Sequence, residues 1–232
     1  MSRKDACFDS LVTRILAMDL QPGLDLDEAS LASHYGLSRT PLREVLQRLS
    51  GAGYVTISEN RGAKVASMDI TVMRVFFQTA PMIYANVMQL AARCRTTAQL
   101  DRLKDAQRAF KSAGLEGEAQ DMALANHRFH AITLEMADNP YLGAAMNRLL
   151  IDHTRLSQTF YRPSSADDAA LVATAIEQHD AMIAAIEARE GALAIDLTLQ
   201  HWDLSRDRME RFVRPDPLPV DVLSMKGRRH AF

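Results

Sequence analysis

Two groups of side chains in this 232-residue chain have the types and spacing to do chemistry. The first is Arg39 and Arg43, four residues apart in Leu37-Ser-Arg-Thr-Pro-Leu-Arg-Glu44, with Ser38 and Thr40 beside them. Residues four apart share a helix face, and two guanidiniums projecting together can pair bidentately with guanine O6 and N7 or with phosphate. The second is Asn126 and His130, again four apart, with His179 and His201 on two later segments. Three imidazoles and one amide oxygen make a shell for a divalent metal ion. His127 is turned about 100° from Asn126 by helical geometry and is expected to face elsewhere. His153 lies on a different predicted helix and is read as a supporting or pocket group.

The arginine pair needs an element that holds it outward. Ser38 reads as an N-cap and Pro41 falls in the first turn, where a missing N–H costs no helical hydrogen bond. The spacing therefore predicts a helix from about Arg39, burying Leu42, Val45, Leu46 and Leu49 and presenting Arg39, Thr40, Arg43 and Gln47 on another side. Any amphipathic helix can carry solvated basic residues, so the flanks decide. Upstream, Asp27 caps a short helix that turns Leu31 and Ala32 inward, and Gly36 supplies the left-handed residue that ends it. Downstream, residues 53–57 and 63–66 read as strands around Glu59-Asn-Arg-Gly62, a hairpin wing with Arg61 at its tip. Residues 8–20 are predicted to form a further helix, closed by Pro22-Gly23.

The histidines need a scaffold of another kind. From about residue 70 the chain reads as six helices, over 70–95, 97–113, 117–137, 140–160, 167–189 and 191–212, punctuated at Asp138-Asn-Pro140, Arg162-Pro-Ser-Ser165 and Glu190-Gly191. Leu171, Ile176, Met182, Ile183 and Ile186 keep helical spacing, and an antiparallel bundle is the natural way to bury them. Pro81 is expected to kink the first helix or delay its start. The fold class is thus mainly α: a small α/β winged helix-turn-helix over 1–67, an all-α six-helix bundle over 68–213 and a loose tail over 214–232.

Composition bounds the partners. The formal net charge is −2, so DNA affinity must come from a local patch: between Ser38 and Lys64, Arg39, Arg43, Arg48, Arg61 and Lys64 stand against Glu44 and Glu59. Such a modest patch favours a homodimer, which doubles charge and contacts. Hydrophobic residues make up 47% of the chain, enough for two cored domains. Cys7 and Cys94 have no metal or redox spacing, and neither a secretory signal nor a bilayer-length apolar run is apparent. A reducing cytoplasm and no membrane partner are the expectation.

At this point the chain resembles a known family. Residues 8–67 are similar to the winged helix-turn-helix of the GntR family of bacterial transcription factors, through Pro22-Gly23, Leu31-Ala32, Leu37 to Glu44, Leu49, Gly53 and Arg61-Gly62-Ala63-Lys-Val65. The resemblance implies DNA contacts from Ser38, Arg39, Thr40, Arg43, Arg61 and Gly62, while Ala29 stands where some relatives carry a DNA-contacting arginine. Residues 70–213 resemble the FCD effector domain, through Asn126-His-Arg-Phe-His130, Asn139-Pro140, Gln178-His-Asp-Ala-Met-Ile-Ala-Ala-Ile186 and His201. In that family an Asp or Asn with three histidines binds a divalent metal, which implies Asn126, His130, His179 and His201 as ligands here. Zinc is the expected ion by availability and imidazole preference, with nickel and manganese able to take the same shell. Six helices rather than seven suggest the FadR subfamily's VanR-like branch.

Asn126, where many relatives have Asp, leaves four neutral ligands around a dication. Such a site calls for an anion, so the expected effector bears a carboxylate, with Arg155 pairing to a second acidic group. Phe76-Phe-Gln-Thr-Ala-Pro-Met-Ile-Tyr84 replaces a charged stretch of relatives and implies an effector with a larger nonpolar part. The alternative is a metal-dependent enzyme, a hydrolase or lyase using the same histidines; against it, no His-Glu-x-x-His helix or Gly-x-Ser-x-Gly elbow occurs. The resulting expectation is a metabolite-responsive repressor that binds a palindromic double-stranded operator and is released by its effector.

Overall fold

A computed structural model of the chain describes residues 2–58 and 62–210. Its first part is three helices and a small sheet: α1 (Arg3–Leu16), β1 (Asp25–Leu26), α2 (Glu28–Tyr35), α3 (Arg39–Gly51), β2 (Val55–Ser58) and β3 (Gly62–Val65). The strands lie antiparallel in the order β1-β3-β2, with Asp25 opposite Lys64 and Val55 opposite Val65. Cys7, Leu11 and Ile15 from α1 meet Leu42, Val45, Leu46 and Leu49 from α3 over Val55 and Val65, so one face of each element is consumed by a common core. The opposite side of α3 is left to solvent.

Two details differ from the sequence reading. α1 begins at Arg3 rather than near residue 8, because Ser2 and Asp5 form a capping box in which each side chain takes the other's backbone N–H. Polar Arg3 and Lys4 hide that start from any search for apolar periodicity. β1 was not expected; its two residues pair with β3 and add a third strand to the hairpin as one edge of the sheet.

The second part is six helices: α4 (Ile70–Cys94), α5 (Thr97–Glu116), α6 (Ala119–Ala137), α7 (Pro140–Phe160), α8 (Ala166–Glu187) and α9 (Gly191–Glu210). Their boundaries follow local chemistry. Thr96 and Gln99 form a capping box before α5, Asn139 caps α7 ahead of Pro140 at its first position, and Ser165 caps α8. α4 starts at Ile70, capped by Asp69, and runs through Pro81, so its start is not delayed. The sequence expectation placed the last helix's end at residue 212 and a tail over 214–232; both lie outside the described residues.

α8 is more apolar than the sequence reading allowed, with a mean hydropathy of 1.2 over an 18-residue window. Ala175, His179, Met182, Ile183 and Ile186 face the bundle interior, and the helix packs by this face on α4, α5 and α9 while a third of its apolar window is buried.

The two parts meet along α7. Arg155 donates from Nη1 to the carbonyl of Ala66 (2.8 Å), just past the wing, and Gln158 donates to the carbonyl of Leu16 (3.2 Å) at the end of α1. Arg148, two turns before Arg155, lies against Gly53, where a Cβ would fall 2.6 Å from Cδ of the arginine. With φ at +87°, that position suits only glycine on both counts.

Candidate functional site

α3 holds its polar face outward as its apolar spacing requires: Arg39, Thr40, Arg43 and Gln47 are exposed while Leu42, Val45, Leu46 and Leu49 are buried. Ser38 occupies the N-cap with extended backbone, but its hydroxyl makes no capping hydrogen bond, contrary to expectation. The hydroxyl and the first-turn amides therefore stay available at an exposed helix start, where anions are favoured. Arg43 pairs through Nε with Glu28 in the first turn of α2 at 3.1 Å while two-thirds of its side chain stays exposed. Arg43, Gln47 and Glu28 line one wall of a hollow of about 430 Å³ whose other wall is Ile57, Ser58, Gly62 and Ala63 of the hairpin. Gly62 thus sits across from the exposed helix face; Arg61 lies outside the described residues.

The histidines converge at the centre of the bundle. α6 carries Asn126 and His130 on one buried face, α8 brings His179 and α9 brings His201. One ring nitrogen from each of His130, His179 and His201 lies within 4.8 Å of the other two. Asn126, one turn before His130, is fully buried, and among the described residues neither of its amide atoms, neither nitrogen of His130 and not Nε2 of His179 has a hydrogen-bond partner. Orphaned buried polar atoms are costly, and a cation would satisfy the acceptors among these: Oδ1 of Asn126, one ring nitrogen of His130 and Nε2 of His179. Burial holds His201 down to about 4 and keeps His130 and His179 well below the ordinary imidazole range, with neighbouring imidazoles adding to the effect at both. Their lone pairs are therefore free at neutral pH, as metal ligation requires. The donor set fits a divalent metal.

Around this set the orientation of each ring is fixed. His179 stacks on Phe129 at 4.1 Å with 6° between the planes and hydrogen-bonds through Nδ1 to Oε1 of Gln107 (3.1 Å). His201 meets Oε1 of Gln178 through Nδ1 (2.9 Å). His153 bonds to the hydroxyl of Tyr84 (2.9 Å), and both rings pack beside His130 and Trp202. Burial, aided by Asp152, raises Tyr84 far above its usual value, so it stays a neutral phenol. His127 turns away as helical rotation predicts and bonds to Thr154 (2.8 Å).

Gln107, Gln178 and Tyr84 were not among the expected site residues. Gln178 and Tyr84 stood inside quoted motifs, but Gln107 reads in sequence as part of the polar face of α5. Arg155 is engaged away from the cluster. Its side chain is wholly buried, held by Asp152 and the Ala66 carbonyl, and Asp152 also takes Arg148 at 2.9 Å. Both terminal nitrogens of the guanidinium expected to meet an effector acid are engaged here, Nη1 by the Ala66 carbonyl and Nη2 by Asp152.

Residues 4–65 match the family described as bacterial regulatory proteins, gntR family, and residues 78–204 match the FCD domain. The chain belongs to the GntR family of transcriptional regulators and carries an FCD domain. It is 25% identical over 202 residues to the HTH-type transcriptional regulator LutR of Bacillus subtilis, covering 79% of this chain and 90% of that one. Its identity to the HTH-type transcriptional repressor GlaR of Escherichia coli is 26% over 191 residues, covering 81% and 86%. Among solved structures, E. coli McbR/YncC superposes with a TM-score of 0.77 at 18% identity, covering 92% of this chain and all of that one, a likeness of fold. These families and relatives are transcriptional regulators, which removes the hydrolase or lyase alternative. As a GntR-family member the chain binds DNA through its winged helix-turn-helix.

Proposed function

We propose that this regulator is a homodimeric repressor whose operator affinity is set by a metal-bound anion in the bundle. The DNA-reading unit is residues 1–67 and the effector and dimerisation unit is residues 68–213, with six helices supporting the VanR-like branch. Arg39, Thr40 and Arg43 enter the major groove from an exposed helix start, Ser38 meets phosphate, and Arg61 and Gly62 follow the adjacent groove or backbone. Two copies related by symmetry read a short palindrome.

The observation that carries the effector half is the neutrality of the donor set. Asn126, His130, His179 and His201 would hold a divalent ion, most readily Zn²⁺, and none of them brings a charge. Gln107 and Gln178, which touch the histidines, are neutral as well. The bound ion would supply a strong positive field and a coordination position for a carboxylate. Tyr84, His153 and Trp202, with ring centroids 5.2 to 5.5 Å apart, and Phe76 against Trp202 at 5.6 Å would give that carboxylate's carrier an aromatic wall.

The signal reaches DNA through α7. This helix carries His153 toward the cluster and Arg148, Asp152, Arg155 and Gln158 toward the winged unit, so a shift of α7 moves both. Arg155 serves this coupling instead of contacting the effector. A coupling free energy of about 1–3 kcal/mol corresponds to a change in operator affinity of about 5- to 150-fold.

Fluorescence anisotropy on an operator selected from genomic fragments tests the reading. Binding should weaken steeply with salt, and carboxylates should release the metal-loaded protein but not the chelator-treated one. Carboxylates that leave operator affinity unchanged, or raise it, overturn induction by release.

A further inference from the structure

The hydrogen-bond directions around His179 close without ambiguity. Nε2 of Gln107 is 3.0 Å from the carbonyl oxygen of Ile176 and 3.1 Å from Oδ1 of Asp180, two groups that can only accept. Rotating the amide by half a turn would set Oε1 against both acceptors. Oε1 therefore faces His179, where Nδ1 at 3.1 Å must be the donor. Its proton is on Nδ1, and the lone pair is on Nε2, the nitrogen left without a partner inside the cluster. Asp180 is anchored in turn by Lys111 at 2.7 Å. A line of contacts thus runs from the surface lysine through Asp180 and the buried Gln107 to one ring of the metal set.

We propose that Gln107 is a positioning residue of the metal centre, locking His179 as an Nε2 donor, and that Gln178 does the same for His201 through its 2.9 Å contact with Nδ1. Metal-ligating histidines usually give their second N–H to a carboxylate, carbonyl or water, which fixes the ring and raises its basicity. Here the acceptors are amides, which orient the rings without adding negative charge. Asp180 flanks His179 in sequence yet acts one residue further out, through Gln107. Gln107 and Gln178 would therefore leave the ion's charge uncompensated for an anion to answer.

This inference rests on the reading of His130, His179 and His201 as a metal centre, and its test separates the two. Zn²⁺ alone, with no carboxylate, is titrated calorimetrically into the chelator-treated full-length protein, and imidazole tautomers are read in the metal-free protein by long-range ¹H–¹⁵N NMR. Wild type should show His179 protonated at Nδ1. Gln107→Leu should lose that preference and bind Zn²⁺ about 10- to 100-fold more weakly, with circular dichroism and melting in chelator confirming that it folds. Gln178→Leu, at a half-buried position, gives the parallel measurement on His201. Wild-type uptake of Zn²⁺ with unaltered affinity in both leucine variants overturns the positioning role alone. No uptake by wild type overturns the metal reading and this inference with it.

Discussion

The recognition face and the histidine cluster treat polarity in opposite ways. On α3, Arg39 and Arg43 stand in solvent, where a charge costs little and a partner such as Glu28 adds little. In the bundle, imidazoles and an amide sit at or near zero exposure, and several of their atoms have no partner within the described residues. An exposed charge tells where a ligand would be attracted; a cluster of buried acceptors without partners carries a cost that a bound cation would relieve.

Removing the same charge in the two environments gives the sharpest contrast. Asp152→Ala leaves the buried guanidinium of Arg155 without its counter-ion and should lower stability by about 3–5 kcal/mol; Glu28→Ala, beside exposed Arg43, should change it by less than about 1 kcal/mol. Equal losses in chemical denaturation would erase the distinction. Next in size, His179→Ala should weaken Zn²⁺ binding by more than about a hundredfold, beyond the range of changes at the residues that orient ligands, while leaving operator binding by the metal-free protein unaltered. Loss of both together in calorimetry and anisotropy would show that the two regions are not separable.

A smaller effect is expected at the reading helix. Arg43→Ala should cost about 1–3 kcal/mol per half-site and relax base choice at one position; an equal loss on random DNA would make Arg43 a phosphate contact only. Smallest, Glu28→Gln frees Arg43 from its exposed pair and should raise affinity for any DNA a few-fold at low salt, the gain fading as salt rises. A gain that persists at high salt would place Glu28 in direct conflict with the DNA.

The same contrast explains what could be read from the chain alone. Helix-forming periodicity and breakers are local, so α3 and α4–α9 were legible to within a few residues, and so was the turn at Gly36. The start of α1 was not, because a capping box of Ser2 and Asp5 leaves no apolar trace. The exposed arginines announced themselves by type and spacing. Gln107 did not: its burial depends on α8 packing over α5, and a glutamine on an amphipathic helix looks solvated until that neighbour is in place. Arg155 reads in sequence as the partner of an effector's second acidic group; its contact with Ala66, 89 residues away in the chain, leaves no local trace.

That destination bears on how such regulators diversify. The bundle grips the winged unit in part through the carbonyls of Ala66 and Leu16, atoms that every amino acid supplies. The hydrogen bonds themselves ask for no particular side chain there, although Ala66 and Leu16 are buried and must keep their size, and residue 53 must keep no side chain. The joint is therefore a generic coupling, suited to exchanging one operator specificity for another by grafting a different reading head onto the same sensor.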